Sequence, residues 1–148
     1  MRAWYFTIIL LLLVACSPAE KPGSTLQLDE LRGQWVVINY WAIWCKPCIQ
    51  EIPELNKLAE LPQVTVLGVN YDGLSGDELE QQLQKLGVAF PTLASDPAAQ
   101  LGVARPVVLP TSLVLDPEGQ LRGTLVGPQT LETLAAATGQ SLSGRERD

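Results

Sequence analysis

Val36-Val37-Ile38-Asn39-Tyr40-Trp41-Ala42-Ile43-Trp44-Cys45-Lys46-Pro47-Cys48, running on without a break through Ile49 to Leu61, decides the fold. An apolar run rich in β-branched residues leads into two cysteines separated by Lys46 and Pro47, and the segment behind them has helical apolar spacing with Pro53 inside it. That order reads as strand, turn, helix. A thiol in the first turn of a helix faces unpaired backbone N–H groups and the positive end of the helix dipole. Both favour the thiolate, which is the nucleophile in disulfide exchange.

Three chemistries compete for Cys45 and Cys48. A purely structural disulfide would close so short a loop that little chain entropy is removed. A zinc or copper site would have two soft ligands from a monomer, where zinc usually takes four, and the sequence contains no histidine. Redox exchange needs an outer thiol of low pKa, an inner resolving thiol and a helix start, and all three are present in sequence. The absence of histidine also excludes Cys-His catalysis and the Cys-x-x-Cys-His haem attachment.

The neighbouring elements follow from the same pass. Gln34 to Tyr40 reads as a strand buried on both faces, and Cys48, Ile52, Leu55 and Ala59 as the inward stripe of the helix, which leaves Cys45 at its exposed start. Pro62 closes the helix and Val64 to Val69 is a second parallel strand. Ser75 and Glu78 form a capping box for a helix carrying Leu79, Leu83 and Leu86, stopped by Gly87. Phe90 to Ala94 reads as an added strand, and Asp96-Pro97 as the start of a short helix ending near Gly102. Thr111 to Leu115 and Gln120 to Val126 flank the turn Asp116-Pro117-Glu118-Gly119 and form an antiparallel hairpin, before a last helix through Leu131, Leu134, Ala135 and Thr138.

Trp41 to Cys48, with Glu51 and Pro53 behind it, resembles the active-site signature of the TlpA/ResA-like branch of the thioredoxin superfamily, whose members are envelope thiol-disulfide oxidoreductases. Ile43, Ile49 and the intervening Lys-Pro depart from common family choices, but no reacting group is lost. The resemblance implies an α/β thioredoxin-like fold over residues 25–139, a mixed sheet built from a parallel βαβ unit and an antiparallel ββα unit, flanked by helices. It implies Cys45 as nucleophile and Cys48 as resolving thiol, with Lys46 and Pro47 tuning the pair. Leu109-Pro110-Thr111 matches the superfamily's cis-proline position, so Leu109, Pro110 and Trp44 are expected to contact substrate. Asn39 falls where thioredoxins proper carry a buried aspartate; its simpler reading is that it satisfies buried backbone groups. Asp72 lies where relatives place an acid that assists proton transfer, against the plainer reading of an Asp-Gly turn.

The chain of 148 residues predicts one domain, 47% apolar, and its formal charge of −6 argues against nucleic acid or anionic membrane surfaces as general partners. Met1-Arg2, the apolar stretch to Val14 and Ala15-Cys16 have the layout of an export signal, and Leu13-Val14-Ala15-Cys16 resembles a lipobox. Residues 1–15 are therefore expected to be a lipoprotein signal peptide, with Cys16 lipidated, 16–24 a tether and 140–148 a polar tail. The alternative is an uncleaved anchor, for which the apolar run is short of the roughly 20 residues needed. Ser17 after the cysteine points by resemblance to the outer membrane, facing the periplasm. Expected partners are proteins with cysteines or disulfides and a membrane thiol-disulfide donor; no cofactor and no metal is called for. The competing reading is a non-catalytic lipoprotein that uses the scaffold to bind a partner or metal.

Overall fold

The computed structural model describes residues 28–142; the leader, Cys16, the tether and residues 143–148 lie outside the described residues. A 3-10 turn at Leu28–Leu31 and Gly33, whose φ of 92° suits glycine, lead into β1, Trp35–Trp41. Helix α1 (Lys46–Ala59) connects it to β2 (Val64–Asn70), and α2 (Gly76–Leu86) follows. After an irregular stretch come β3 (Thr111–Leu115), β4 (Leu121–Val126) and α3 (Leu131–Ala137). The strand order is β2-β1-β3-β4. β1 runs parallel to β2 and antiparallel to β3, and β3 antiparallel to β4. This is the mixed thioredoxin-like sheet, with the parallel unit first and the antiparallel unit second.

Alternation along β1 sorts its side chains into two cores. Val37 joins Leu55, Leu58, Val66, Val114 and Leu134 under α1 and α3. Val36, Ile38 and Tyr40 pack on the other face with Leu67, Leu113 and Leu115, covered by Leu28, Leu93, Leu101 and Leu109. Every residue of β1 after Trp35 is buried, as a strand covered on both sides requires. Asn39 shares the α1 side with Val37 and Trp41, and that placement matters for the site.

Three local expectations are corrected. Phe90 to Ala94 forms no strand: Thr92 makes a single parallel bridge to Gly68, through Gly68 N–H to Pro91 O and Leu93 N–H to Gly68 O. Pro91 interrupts the run of donors a strand would need. Asp96 does accept from Ala98 N–H at 2.9 Å, but the chain makes only a turn before Gly102, whose φ is 67°. Ser75 is the N-cap of α2 without a side-chain capping bond, because the helix opens on Gly76 at φ 58° rather than on a regular first turn.

Candidate active site

Cys45 is the N-cap residue of α1, and its sulfur accepts from Cys48 N–H at 3.2 Å, with Pro47 in the first turn where its missing N–H costs nothing. Strand β1 ends at Trp41, so the turn Ala42–Trp44 delivers the cysteine onto the helix start. Cys45 and Cys48 are joined in a disulfide, with Cα atoms 5.3 Å apart. Both sulfur residues pack against Trp41 and Ala42, with Tyr71, Leu79, Leu83, Leu86 and Leu109 around them. Cys48 is 1% exposed; Cys45, expected at an exposed helix start, is only 5% exposed. The flanking Leu109 and Tyr71 cover it, and these arrive from distant parts of the chain.

An open cleft of about 420 Å3 leads to Cys45, lined by Trp44, Lys46, Pro47, Tyr71, Val107 and Leu109. Leu109-Pro110 is a cis peptide bond, with Pro110 buried at the start of β3. Trp44, Lys46, Pro47 and Leu109 thus stand together around the cysteines. Asp72 enters the cleft indirectly: Trp44 Nε1 donates to both of its carboxylate oxygens at 3.1 Å. A second cavity, about 280 Å3, lies at the opposite end of β1 between Leu28, Leu31, Leu101 and Leu121.

Asn39 does not serve backbone groups. Its Nδ2 donates to Glu51 Oε2 at 3.0 Å and to Ser112 Oγ at 2.9 Å, while Oδ1 has no partner among the described residues. The reason is register: Asn39 pairs opposite Ser112 on β3 and points towards α1, where Glu51 faces inward. Glu51 is 1% exposed, and Gln129 N–H donates to its Oε1 at 3.1 Å. Burial pushes its carboxyl up to about 7, against the bonds from Gln129 and Asn39, which favour the ionised form.

Glu51 stands within the signature, yet the sequence alone assigns it no role. The available signal was its position three residues after Cys48, an acid inserted into the stripe Cys48, Ile52, Leu55. A carboxyl that titrates near neutrality, one helical turn from a buried thiol, can take up or release the proton that thiol must exchange.

Fold and site together define a thioredoxin-like thiol-disulfide oxidoreductase. Residues 15–124 match the AhpC/TSA family. The chain is 32% identical over 119 residues to the thiol-disulfide oxidoreductase ResA of Bacillus thuringiensis (strain Al Hakam), covering 78% of this chain and 68% of that protein. It is 35% identical over 110 residues to the thiol:disulfide interchange protein DsbE of Allochromatium vinosum, covering 74% and 60%. Among solved structures, a secreted thiol-disulfide isomerase from Corynebacterium glutamicum superposes with a TM-score of 0.63 at 28% identity, over 75% of this chain and 72% of that one. The chain belongs to the AhpC/TSA family and, within the thioredoxin superfamily, to its TlpA/ResA-like thiol-disulfide oxidoreductases.

Proposed function

We propose that this protein is an extracytoplasmic reductant of protein disulfides, with Cys45 as nucleophile, Cys48 as resolving thiol and Glu51 as the proton acceptor for Cys48. Reduced Cys45, at the N-cap with its sulfur towards the Cys48 N–H, is held as the thiolate by the helix start. It attacks one sulfur of a substrate disulfide; that S–S bond breaks, the other substrate sulfur leaves as thiolate and takes a proton from solvent. Cys48 then gives its proton to Glu51 and attacks Cys45 Sγ; the mixed S–S bond breaks, the second substrate sulfur leaves as thiolate and takes a proton from solvent, and the Cys45–Cys48 disulfide closes. Lys46 adds positive charge beside Cys45, and Trp44, Leu109 and Pro110 form the surface on which the substrate segment lies, in the manner of an added strand.

The observation that carries this reading is the Cys45–Cys48 disulfide at the start of α1, opening onto an apolar cleft. Extracytoplasmic work is supported by the relatives' nature as secreted or interchange proteins and by the export signal layout of residues 1–15. Cys16 is then the lipid anchor, Ser17 directs the protein to the outer membrane, and residues 25–139 are the catalytic domain. A membrane thiol-disulfide carrier returns electrons to the pair, and apocytochrome thiols are among the substrates the resemblance implies.

The test is a redox titration of the full-length chain in thiol buffers, scored by alkylation of Cys45 and Cys48. A two-electron transition near about −270 mV, as in thioredoxin, is expected of a reductant. A transition near about −120 mV, as in DsbA, would overturn the direction. No exchange at all would overturn the enzyme reading in favour of a binding scaffold. In the same assay Cys48→Ser should accumulate mixed disulfides through Cys45, and Cys45→Ser should exchange nothing.

A further inference from the structure

The two walls of the cleft come from different parts of the chain. Trp44 and Tyr71 follow β1 and β2; Val107 and Leu109 belong to the segment before β3, which has no helix or strand of its own. Val107 is 88% exposed, and Leu109 is the residue of that wall that packs inward, against both the β1 core and the cysteine cluster. Arg105 joins the walls. Its Nη2 donates to the Tyr71 carbonyl at 2.6 Å, and its guanidinium lies 4.0 Å from the centre of the Tyr71 ring. Its Nε donates to Asp96 Oδ2 at 2.8 Å. Asp96 is itself anchored, since Oδ1 accepts from the hydroxyl of Tyr40, a residue of β1, at 2.7 Å. Tyr71 also meets Trp44 edge-on, ring centres 6.4 Å apart. A continuous line of contacts therefore runs from the sheet through Asp96, Arg105 and Tyr71 to the indole beside Cys45.

We propose that Arg105 is the positioning residue of the substrate cleft, holding the Tyr71–Trp44 wall and the Val107–Leu109 wall at the spacing that seats the apolar peptide flanking a substrate cysteine. This rests on the oxidoreductase reading and adds to it the residue through which peptide disulfides are preferred over small ones. An isolated exposed ion pair between Arg105 and Asp96 would contribute little to stability. The arrangement uses what only a guanidinium has: a planar face for the ring and separate N–H groups for two acceptors at once. Lysine cannot reproduce it.

The experiment is single-turnover oxidation of the pre-reduced full-length protein by two disulfides in excess. One is a peptide disulfide with apolar residues beside its cysteine, the other 2-hydroxyethyl disulfide, which is too small to span the cleft. For Arg105→Gln and Arg105→Lys alike, the half-saturating concentration of the peptide should rise about tenfold with little change in the limiting rate, the mark of lost binding. The rate with the small disulfide and the reduction potential of the Cys45–Cys48 pair should stay as in the unsubstituted protein, which also shows that the variants fold. Equal losses on both disulfides, a shifted potential, an unchanged peptide response or full function in Arg105→Lys would each overturn the proposal. A parent protein that oxidises with neither disulfide would overturn the oxidoreductase reading itself.

Discussion

Replacing Glu51 by glutamine tests both the buried acid and its proposed role. The carboxyl's ordinary value is 4.5 and its value in the fold about 7. Below the lower value it is neutral whether the chain is folded or not, and the neutral form is the one the buried site favours. Between the two values the unfolded chain releases the proton and the folded chain keeps it, so stability falls as pH rises; above the upper value both states are ionised and the loss is complete. At about 1.4 kcal/mol for each pH unit between them, the loss is about 3 kcal/mol. Glutamine keeps the shape. Its carbonyl still accepts from Gln129 N–H, and its amide meets Asn39, whose Oδ1 has no partner among the described residues. A half-turn of the Asn39 amide presents that oxygen, and the Ser112 hydroxyl, able to donate as well as accept, follows. Urea denaturation of the oxidised proteins at about pH 5 and about pH 8 should show the parent losing about 2–3 kcal/mol more than Glu51→Gln between the two conditions. The comparison cancels every other titrating group, because both proteins share them. Parallel losses would refute the buried, neutral-poised carboxyl. With that refuted, Glu51 would no longer be a suitable acceptor for the Cys48 proton.

Asn39→Leu removes the donor to Glu51 Oε2 and with it a bond that favours the ionised carboxylate. The Glu51 carboxyl should therefore titrate still higher, visible as an upward move in the NMR titration of its carboxyl carbon; an unchanged or lower value would show that Asn39 does not act on it. Gly68→Ala would place a methyl group 2.7 Å from Thr92 Oγ1 and 2.8 Å from Trp41 Nε1, inside a buried strand. The cost should be about 1–3 kcal/mol of overpacking strain, read as a lower urea midpoint; an unaffected midpoint would mean that Trp41 and Thr92 move aside freely.

Reading the chain located the strand and helix around the cysteines because that information is local. A β-branched run, a Cys-x-x-Cys turn and a helical stripe each lie within a few residues of one another. The hairpin was legible for the same reason, since Asp116 to Gly119 marks its turn. The errors fell where tertiary context overrides local preference. Phe90 to Ala94 has strand composition, yet it meets β2 at only one bridge. Cys45 stands at a helix start, yet Tyr71 and Leu109 cover it. Asn39 was identified as buried and polar, but its partners Glu51 and Ser112 are 12 and 73 residues away in sequence, and no periodicity brings them together.

The sequence by itself determined the class: the order of elements, the paired thiols at a helix N-terminus and the proline ahead of β3 are properties of short stretches read in order. Tertiary structure decided what the pair can do. The buried Glu51 owes its neutral-poised carboxyl to desolvation, which depends on how β1, β3 and α1 close over it. The Arg105 clamp exists because the segment before β3 passes over Tyr71. Burial and through-space contact belong to the closed fold, and neither is written in any single stretch of chain.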